Sequence, residues 1–132
     1  MTGYMETFIL TSLNMERKDM TTKKKSAEDK IINHMMDTYP TVMTGVKNHM
    51  NESFRLFAKK QMDYGLGNIA MNGNKELALL GILIRLNDKV QRGLNILMNN
   101  QEPNNESLED TGFDITNYGA IFNTVLKDEW KK

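Results

Sequence analysis

The sequence predicts an all-α protein: an antiparallel bundle of about four main helices, the last two long, with a loosely packed N-terminal arm. Three observations predict it. Apolar residues recur every three to five positions in four separate stretches, as they do on one face of a helix. No run alternates apolar and polar residues for long enough to require a strand. Helix breakers separate the stretches: Tyr39-Pro40, the segment GLGNIAMNGN over residues 65–74, and Asn99-Asn100-Gln101-Glu102-Pro103.

Residues 1–25 read as the arm. Met5, Phe8, Ile9 and Leu13 suit a short amphipathic segment, and Glu16-Arg17-Lys18-Asp19 and a Thr-Thr-Lys-Lys-Lys run follow. The arm is expected to be solvated or to rest on a neighbouring subunit, and residues 26–132 to form a single helical domain. The first helix is expected from Ser26, with Asp29 three residues on in a capping arrangement. Ile31, Ile32, Met35 and Met36 form its stripe, and the residue before Pro40 ends it. The second helix is expected over about 44–64, on Val46, Met50, Phe54, Phe57 and Met62, with Gly65 and Gly67 terminating it.

The third helix, about Lys75 to Asn99, carries Leu79, Leu80, Leu83, Leu86, Val90, Leu94 and Leu97 within a sector of about 120°. The fourth, about Asn105 to Glu129, has Asn105 as its expected N-cap. Its stripe is Leu108, Ile115, Gly119, Phe122 and Leu126, and its carboxylates lie in the first turns, where the helix dipole favours them.

The chain has 132 residues, 17 basic and 17 acidic side chains, no cysteine and 11 methionines. That length suits one domain with one core of ordinary size. The lack of cysteine excludes disulfides, thiolate metal sites and a cysteine nucleophile. Zero net charge gives no overall attraction to nucleic acid or to an anionic membrane. The longest strongly apolar run, Leu77 to Leu86, contains Arg85 and is too short to span a bilayer. The opening MTGYMETFILTSL has no basic flank and is interrupted by Glu6, so no secretory signal is expected and the cytoplasm is the expected compartment.

Three polar clusters lie on the expected helices. Lys59, Lys60, Asp63 and Tyr64 close the second. Arg85, Asp88, Lys89 and Arg92 share one face of the third, opposite its leucines. Glu106, Glu109, Asp110, Asp114 and Asn117 lie within about 140° on the fourth. Such clusters commonly form solvated faces and contribute only tenths of a kcal/mol per pair. Gly81 and Gly119 argue for more than that: a helix-interior glycine costs about 1 kcal/mol against alanine, and a second packed or ligand-lined face would account for both. In that case the carboxylates suit magnesium, the lysines and arginines suit phosphate oxygens, and Tyr64 or Tyr118 suits stacking on a base. His34 and His49 are isolated, and His49 reads as structural. There is no Walker loop, HExxH motif or glycine-rich strand-to-helix turn.

Three blocks in order resemble the nucleotide modification associated domain 1 family: Lys60-Gln61-Met62-Asp63-Tyr64-Gly65, then Gly81-Ile82-Leu83-Ile84-Arg85-Leu86-Asn87-Asp88-Lys89-Val90-Gln91-Arg92, then Glu106-Ser107-Leu108-Glu109-Asp110-Thr111 with Asp114-Ile115-Thr116-Asn117-Tyr118. The likeness covers about residues 50–126. Departures fall at Gly112 and Gly93, where the family tends to carry larger apolar residues. The resemblance implies a small, mostly helical phage or prophage protein linked to nucleotides, acting in the cytoplasm of the infected bacterial host. The acidic helix is also distantly similar to all-α nucleotide pyrophosphatases. Those use paired acidic motifs on two helices, whereas this chain has only Glu106 and Glu109 in one such pair.

Three functions are then expected in turn. The first is capture of a free or cyclic nucleotide or nucleotide second messenger, as a sponge that counters bacterial immune signalling; Lys60, Asp63, Tyr64, Arg85, Lys89, Arg92, Asn117 and Tyr118 would hold it. The second is a magnesium-dependent nucleotide phosphohydrolase of pyrophosphohydrolase type, or an accessory to nucleotide modification, with Glu106, Glu109, Asp110 and Asp114 holding the metal. The third is a structural or protein-interaction module. A homo-oligomer is expected.

Overall fold

The computed structural model describes residues 3–70 and 73–131. Every regular element among them is a helix: α1 Gly3–Thr38, α2 Pro40–Tyr64, α3 Gly67–Ala70, α4 Lys75–Met98 and α5 Leu108–Leu126. The all-α class therefore holds. No helix among the described residues is long and apolar enough to cross a membrane. The chain divides into two compact units, residues 1–45 and 46–132.

In the first unit, α1 runs unbroken through the segment expected as an arm, and Ser26 lies in its interior rather than at its start. No glycine or proline interrupts residues 4–38. Asp19–Lys23 and Lys24–Glu28 form i,i+4 ion pairs at 2.8 and 4.0 Å. The Thr11, Thr21 and Thr22 hydroxyls donate to carbonyls one turn back, a bond open to threonine in a helix. The large apolar side chains of α1 are widely exposed: Phe8 at 78 % and Ile31 at 62 %. Pro40 opens α2 at the first helical position, where its missing N–H costs nothing. The two helices nearly join, because the Tyr39 N–H donates to the Met35 carbonyl and the Met43 N–H to the Tyr39 carbonyl.

The second unit is built on α4 and α5, which pack antiparallel. Lys75 at the start of α4 meets Asp128 beyond α5 at 2.8 Å, while Gly93 near the end of α4 meets Thr111 in the first turn of α5. Asn74, not a glycine, starts α4: its side chain accepts from the Leu77 N–H at 2.9 Å. Both helices end in the same way. Gln101 N–H returns to the Ile96 carbonyl and Asn100 N–H to Leu97; Glu129 returns to Thr124 and Asp128 to Val125. Asn100 and Asp128 take the left-handed conformation, with φ 48° and 59°, as in a Schellman ending. The start of α5 is Ser107 rather than Asn105. Ser107 Oγ accepts from the Asp110 N–H and the Asp110 carboxylate accepts from the Ser107 N–H, a complete capping box. The segment expected as loop between α2 and α4 contains the single turn α3.

The core joins α3, the first half of α4 and the second half of α5. Ile69, Ala78, Ile82, Ile121 and Val125 are buried there, with Phe57, Leu79, Tyr118, Phe122 and Trp130 packed around them. Trp130 fastens the end of the chain: its indole N–H donates to the Leu66 carbonyl at 3.0 Å, and its ring meets Phe57 edge-on at 6.1 Å. The leucine stripe of α4 lies elsewhere. Leu80, Leu83, Val90, Leu94 and Leu97 are exposed, and the face turned to α5 instead carries Ala78, Ile82, Lys89, Arg92 and Gly93. The interior glycines also divide. A Cβ on Gly93 would touch Thr111 at 3.7 Å, whereas one on Gly119 or Gly112 would meet nothing within 4 Å. Close helix approach therefore explains Gly93 and not Gly119.

Candidate functional site

α2, α4 and α5 place their polar faces around one cleft of about 340 Å³, floored by α3 and by Ile69 and Ile121 of the core. Lys60 and Tyr64 reach it from α2, Arg85 and Lys89 from α4, and Asp114, Asn117 and Tyr118 from α5; Glu106 comes from the loop before α5. The helical period accounts for the sets. Lys60 and Tyr64 are four apart, Arg85 and Lys89 four apart, and Asp114 and Tyr118 four apart, so each pair projects from one side of its helix.

Asp114 is the centre of the charge arrangement. It is a buried residue on an otherwise wet face. Lys60 Nζ donates to Asp114 Oδ1 at 2.7 Å, and Lys89 Nζ contacts Oδ2 at 2.7 Å. Lys89 also donates to Glu106 Oε2 at 3.1 Å. Burial by itself would push the Asp114 carboxyl up. The hydrogen bonds and charges of Lys60 and Lys89 more than reverse that and hold it below the usual carboxylate range. Lys89 is raised above the usual lysine value, first by its bond to Asp114 and then, against the pull of burial, by Glu106. Three cations and two carboxylates line the cleft, leaving one positive charge in excess. Arg85 is tied to the floor, where its Nη2 donates to the Asn68 carbonyl at 3.2 Å.

Two further acceptors belong to the cleft and were not anticipated. Gln61 Oε1 and Asn68 Oδ1 are buried and have no hydrogen-bond partner, although both side chains line it. A buried polar atom left unpaired costs about 1–3 kcal/mol, and a bound molecule with donors would satisfy these two. Gln61 stands inside the block Lys60 to Gly65, so its neighbours were a signal for it. Asn68 stands in a segment read as loop and carried none. Phe57 adds an aromatic wall beside Tyr64 and Tyr118.

The remaining expected site residues lie outside the cleft. Asp63, near the end of α2, is exposed and does not line the cleft. Arg92 is a latch: Nη1 donates to the Ser107 carbonyl at 3.4 Å and to Thr111 Oγ1, and Nη2 donates to the Glu106 carbonyl. It fixes the loop that presents Glu106. Asp110 is spent on the capping box, whose Ser107 hydroxyl and N–H bonds lower its carboxyl below the usual range. Glu109 faces a different groove, with Val46, His49, Met50, Ser53, Gly112, Phe113 and Thr116. His49 is exposed, 3.7 Å from Glu52 and beside the Phe113 ring, so it is not a packed core histidine.

The four carboxylates expected to hold a metal are thus divided among a paired centre, a cap and a separate groove. Among the described residues no three histidine, cysteine, aspartate or glutamate side chains gather as a ready cation cage. Magnesium does not need one when phosphate and water supply most of its ligands. The two carboxylates that meet in the cleft, Glu106 and Asp114, share the Lys89 ammonium. Comparison with family models, with curated proteins and with solved structures gave no match for this chain.

Proposed function

We propose that the cleft captures a phosphate-bearing nucleotide. The observation that carries this reading is the convergence of Lys60, Arg85 and Lys89 on one cavity, beside aromatic walls and two unpaired amide carbonyls. Phosphate oxygens would take hydrogen bonds from Lys60 and Lys89, which already hold the Asp114 carboxylate in the geometry an oxyanion requires. Arg85 would offer its free guanidinium edge. Phe57, Tyr64 and Tyr118 offer ring faces to a base. Gln61 and Asn68 would accept from base amino or ring N–H groups, and Asn117 has both donor and acceptor to offer. The cavity volume falls in the range of small-molecule sites.

The resemblance of the three sequence blocks to a phage nucleotide-linked family points the same way. It suggests a sponge for a free or cyclic nucleotide in the host cytoplasm. Capture without turnover is the simpler reading, because the cleft holds a cation-paired carboxylate rather than a carboxylate cluster. Magnesium-dependent phosphohydrolysis is the second reading, and one observation favours it: Glu106 and Asp114 converge on Lys89, so they are the two carboxylates that a magnesium–phosphate complex would meet. In that case the metal would polarise the phosphoryl group or its attacking water, and Lys60 and Lys89 would orient the phosphate.

A thermal-shift screen over linear and cyclic nucleotides, with and without magnesium, tests the reading. Native mass spectrometry of the complex then separates its two forms. An intact nucleotide supports capture, and a cleaved one supports hydrolysis. No shift with any phosphorylated nucleotide would sink both.

A further inference from the structure

The two carboxylates of the cleft are not held alike. The Asp114 side chain is only 9 % exposed and has a lysine 2.7 Å from each of its oxygens. The Glu106 side chain is 53 % exposed and pairs with Lys89 at 3.1 Å. Freeing Asp114 would strand a buried charge, which is costly. Freeing Glu106 exchanges an ion pair for water, and an exposed pair is worth no more than about a fivefold change in an equilibrium. Arg92 fixes the loop before α5 through the Glu106 and Ser107 carbonyls. The Glu106 carboxylate therefore turns out into water by rotation about its own side-chain bonds, with the loop in place. Lys89 stays behind, because Asp114 still holds it, and one of its three N–H donors is then open to the cleft.

On the reading of the cleft as a nucleotide site, we propose that Glu106 is an internal stand-in for the ligand's anion, and that a terminal phosphate displaces it from Lys89. The place Glu106 occupies is an oxyanion's place: within hydrogen-bond reach of Lys89, in a cavity that Lys60 and Arg85 also line. With Glu106 seated, three cations face two carboxylates, an excess of one positive charge. With Glu106 turned out, the three face Asp114 alone, an excess of two. A phosphate monoester, close to a dianion at neutral pH and with three acceptor oxygens, matches that excess. A cyclic diester carries a single charge on two free oxygens, so it replaces the carboxylate charge for charge and gains little. The displaceable glutamate thus fills the lysine when no ligand is present, and it subtracts the strength of its own ion pair from the affinity of whatever replaces it.

Titration calorimetry in a chelator tests this with nucleoside monophosphates and their cyclic diesters, on the native chain, Glu106→Gln, Glu106→Ala and Glu109→Gln. The native chain is expected to bind a monophosphate at least about tenfold more tightly than its cyclic diester. Both Glu106 variants are expected to bind the monophosphate about two- to fivefold more tightly than the native chain does. Glu109→Gln removes the same charge from a separate groove and is expected to bind as the native chain does. Both Glu106 variants keep the backbone carbonyl that Arg92 holds, and circular dichroism is expected to show native helix content. Unchanged or weaker binding in either Glu106 variant would overturn the proposal, as would an equal gain in Glu109→Gln. Cyclic diesters bound as tightly as monophosphates would overturn the assignment of a terminal phosphate and leave the nucleotide reading standing. No binding of either kind, by the native chain or the variants, would overturn the nucleotide reading itself and the role of Glu106 with it.

Discussion

Lys89 and Asp114 form the hinge of the site: an ammonium on α4 and a buried carboxylate on α5 lie 2.7 Å apart, and each has one further partner of opposite charge. Lys60 completes Asp114 and Glu106 completes Lys89. The chain of four alternating charges joins α2, α4, the loop before α5 and α5 itself. Lys60 and Lys89 also line the cavity beside Arg85.

Replacing Asp114 with asparagine separates the structural role of this chain from the binding role. The folded state loses a partner for two lysines, both partly open to water, so a loss of about 1–2 kcal/mol is expected. That corresponds to a fall of several degrees in melting temperature. Phosphate affinity is expected to rise, because a competing negative charge has gone. If Asp114 instead holds magnesium, nucleotide binding in magnesium falls in the same variant. Calorimetric titration with and without magnesium distinguishes the two outcomes.

The acid limb of stability follows from the same carboxylate. The folded-state value of Asp114 is depressed, so its contribution is fully present above the unfolded aspartate value of about 4. It is lost as pH falls through the lower folded value. Lys89 is raised, so its contribution is present below about 10.4 and lost as pH rises through its folded value. Denaturant midpoints are expected to be flat with respect to this pair between about pH 5 and 9. Asp114→Asn is expected to make the decline below about pH 4 shallower; an unchanged acid limb would contradict the assignment.

Ser107→Ala breaks the capping box and is expected to cost about 1 kcal/mol by thermal or denaturant unfolding. Asp110→Asn is expected to leave nucleotide affinity within twofold of the native chain, because that carboxylate is committed to the helix start. A loss of tenfold or more, with folding intact, would return Asp110 to the binding set.

Arg92→Ala removes two hydrogen bonds to the loop before α5 and one to Thr111 in the first turn of α5, and is expected to cost about 1–2 kcal/mol. Arg92→Lys is not expected to restore it, since one ammonium cannot bridge the acceptors that the planar fork spans. Nucleotide affinity should change less than in Lys89→Ala, because Arg92 does not line the cleft. Unfolding midpoints and titrations on the three proteins check this ordering.

Periodicity made much of this arrangement legible. The helix of Leu79 to Leu97 was clear from its leucines, and Lys60, Tyr64, Arg85, Lys89, Asp114 and Tyr118, read as members of polar clusters on three helices, line one cleft. Periodicity does not say which face of a two-faced helix turns inward. On α4 the leucines face out and the charged face packs on α5, because Gly93 and Thr111 permit close approach and Lys89 finds Asp114 there. The division of the carboxylates was equally hidden. Glu106, Glu109, Asp110 and Asp114 share a helical sector on paper, but Ser107 starts the helix, takes Asp110 into its cap and leaves Glu106 in the preceding loop. The long α1 was obscured by its charged middle, which is helical without an apolar stripe and carries only local ion pairs and threonine bonds to carbonyls one turn back.

The most direct test of the central claim is calorimetric titration of the native chain and Lys89→Ala with nucleotides and with an unphosphorylated nucleoside, in the presence of a chelator. The expected result is binding of a phosphorylated nucleotide by the native chain, none of the nucleoside, and at least about tenfold weaker binding by Lys89→Ala. Equal affinity in the two proteins, or no binding of any phosphorylated nucleotide by the native chain, would contradict it.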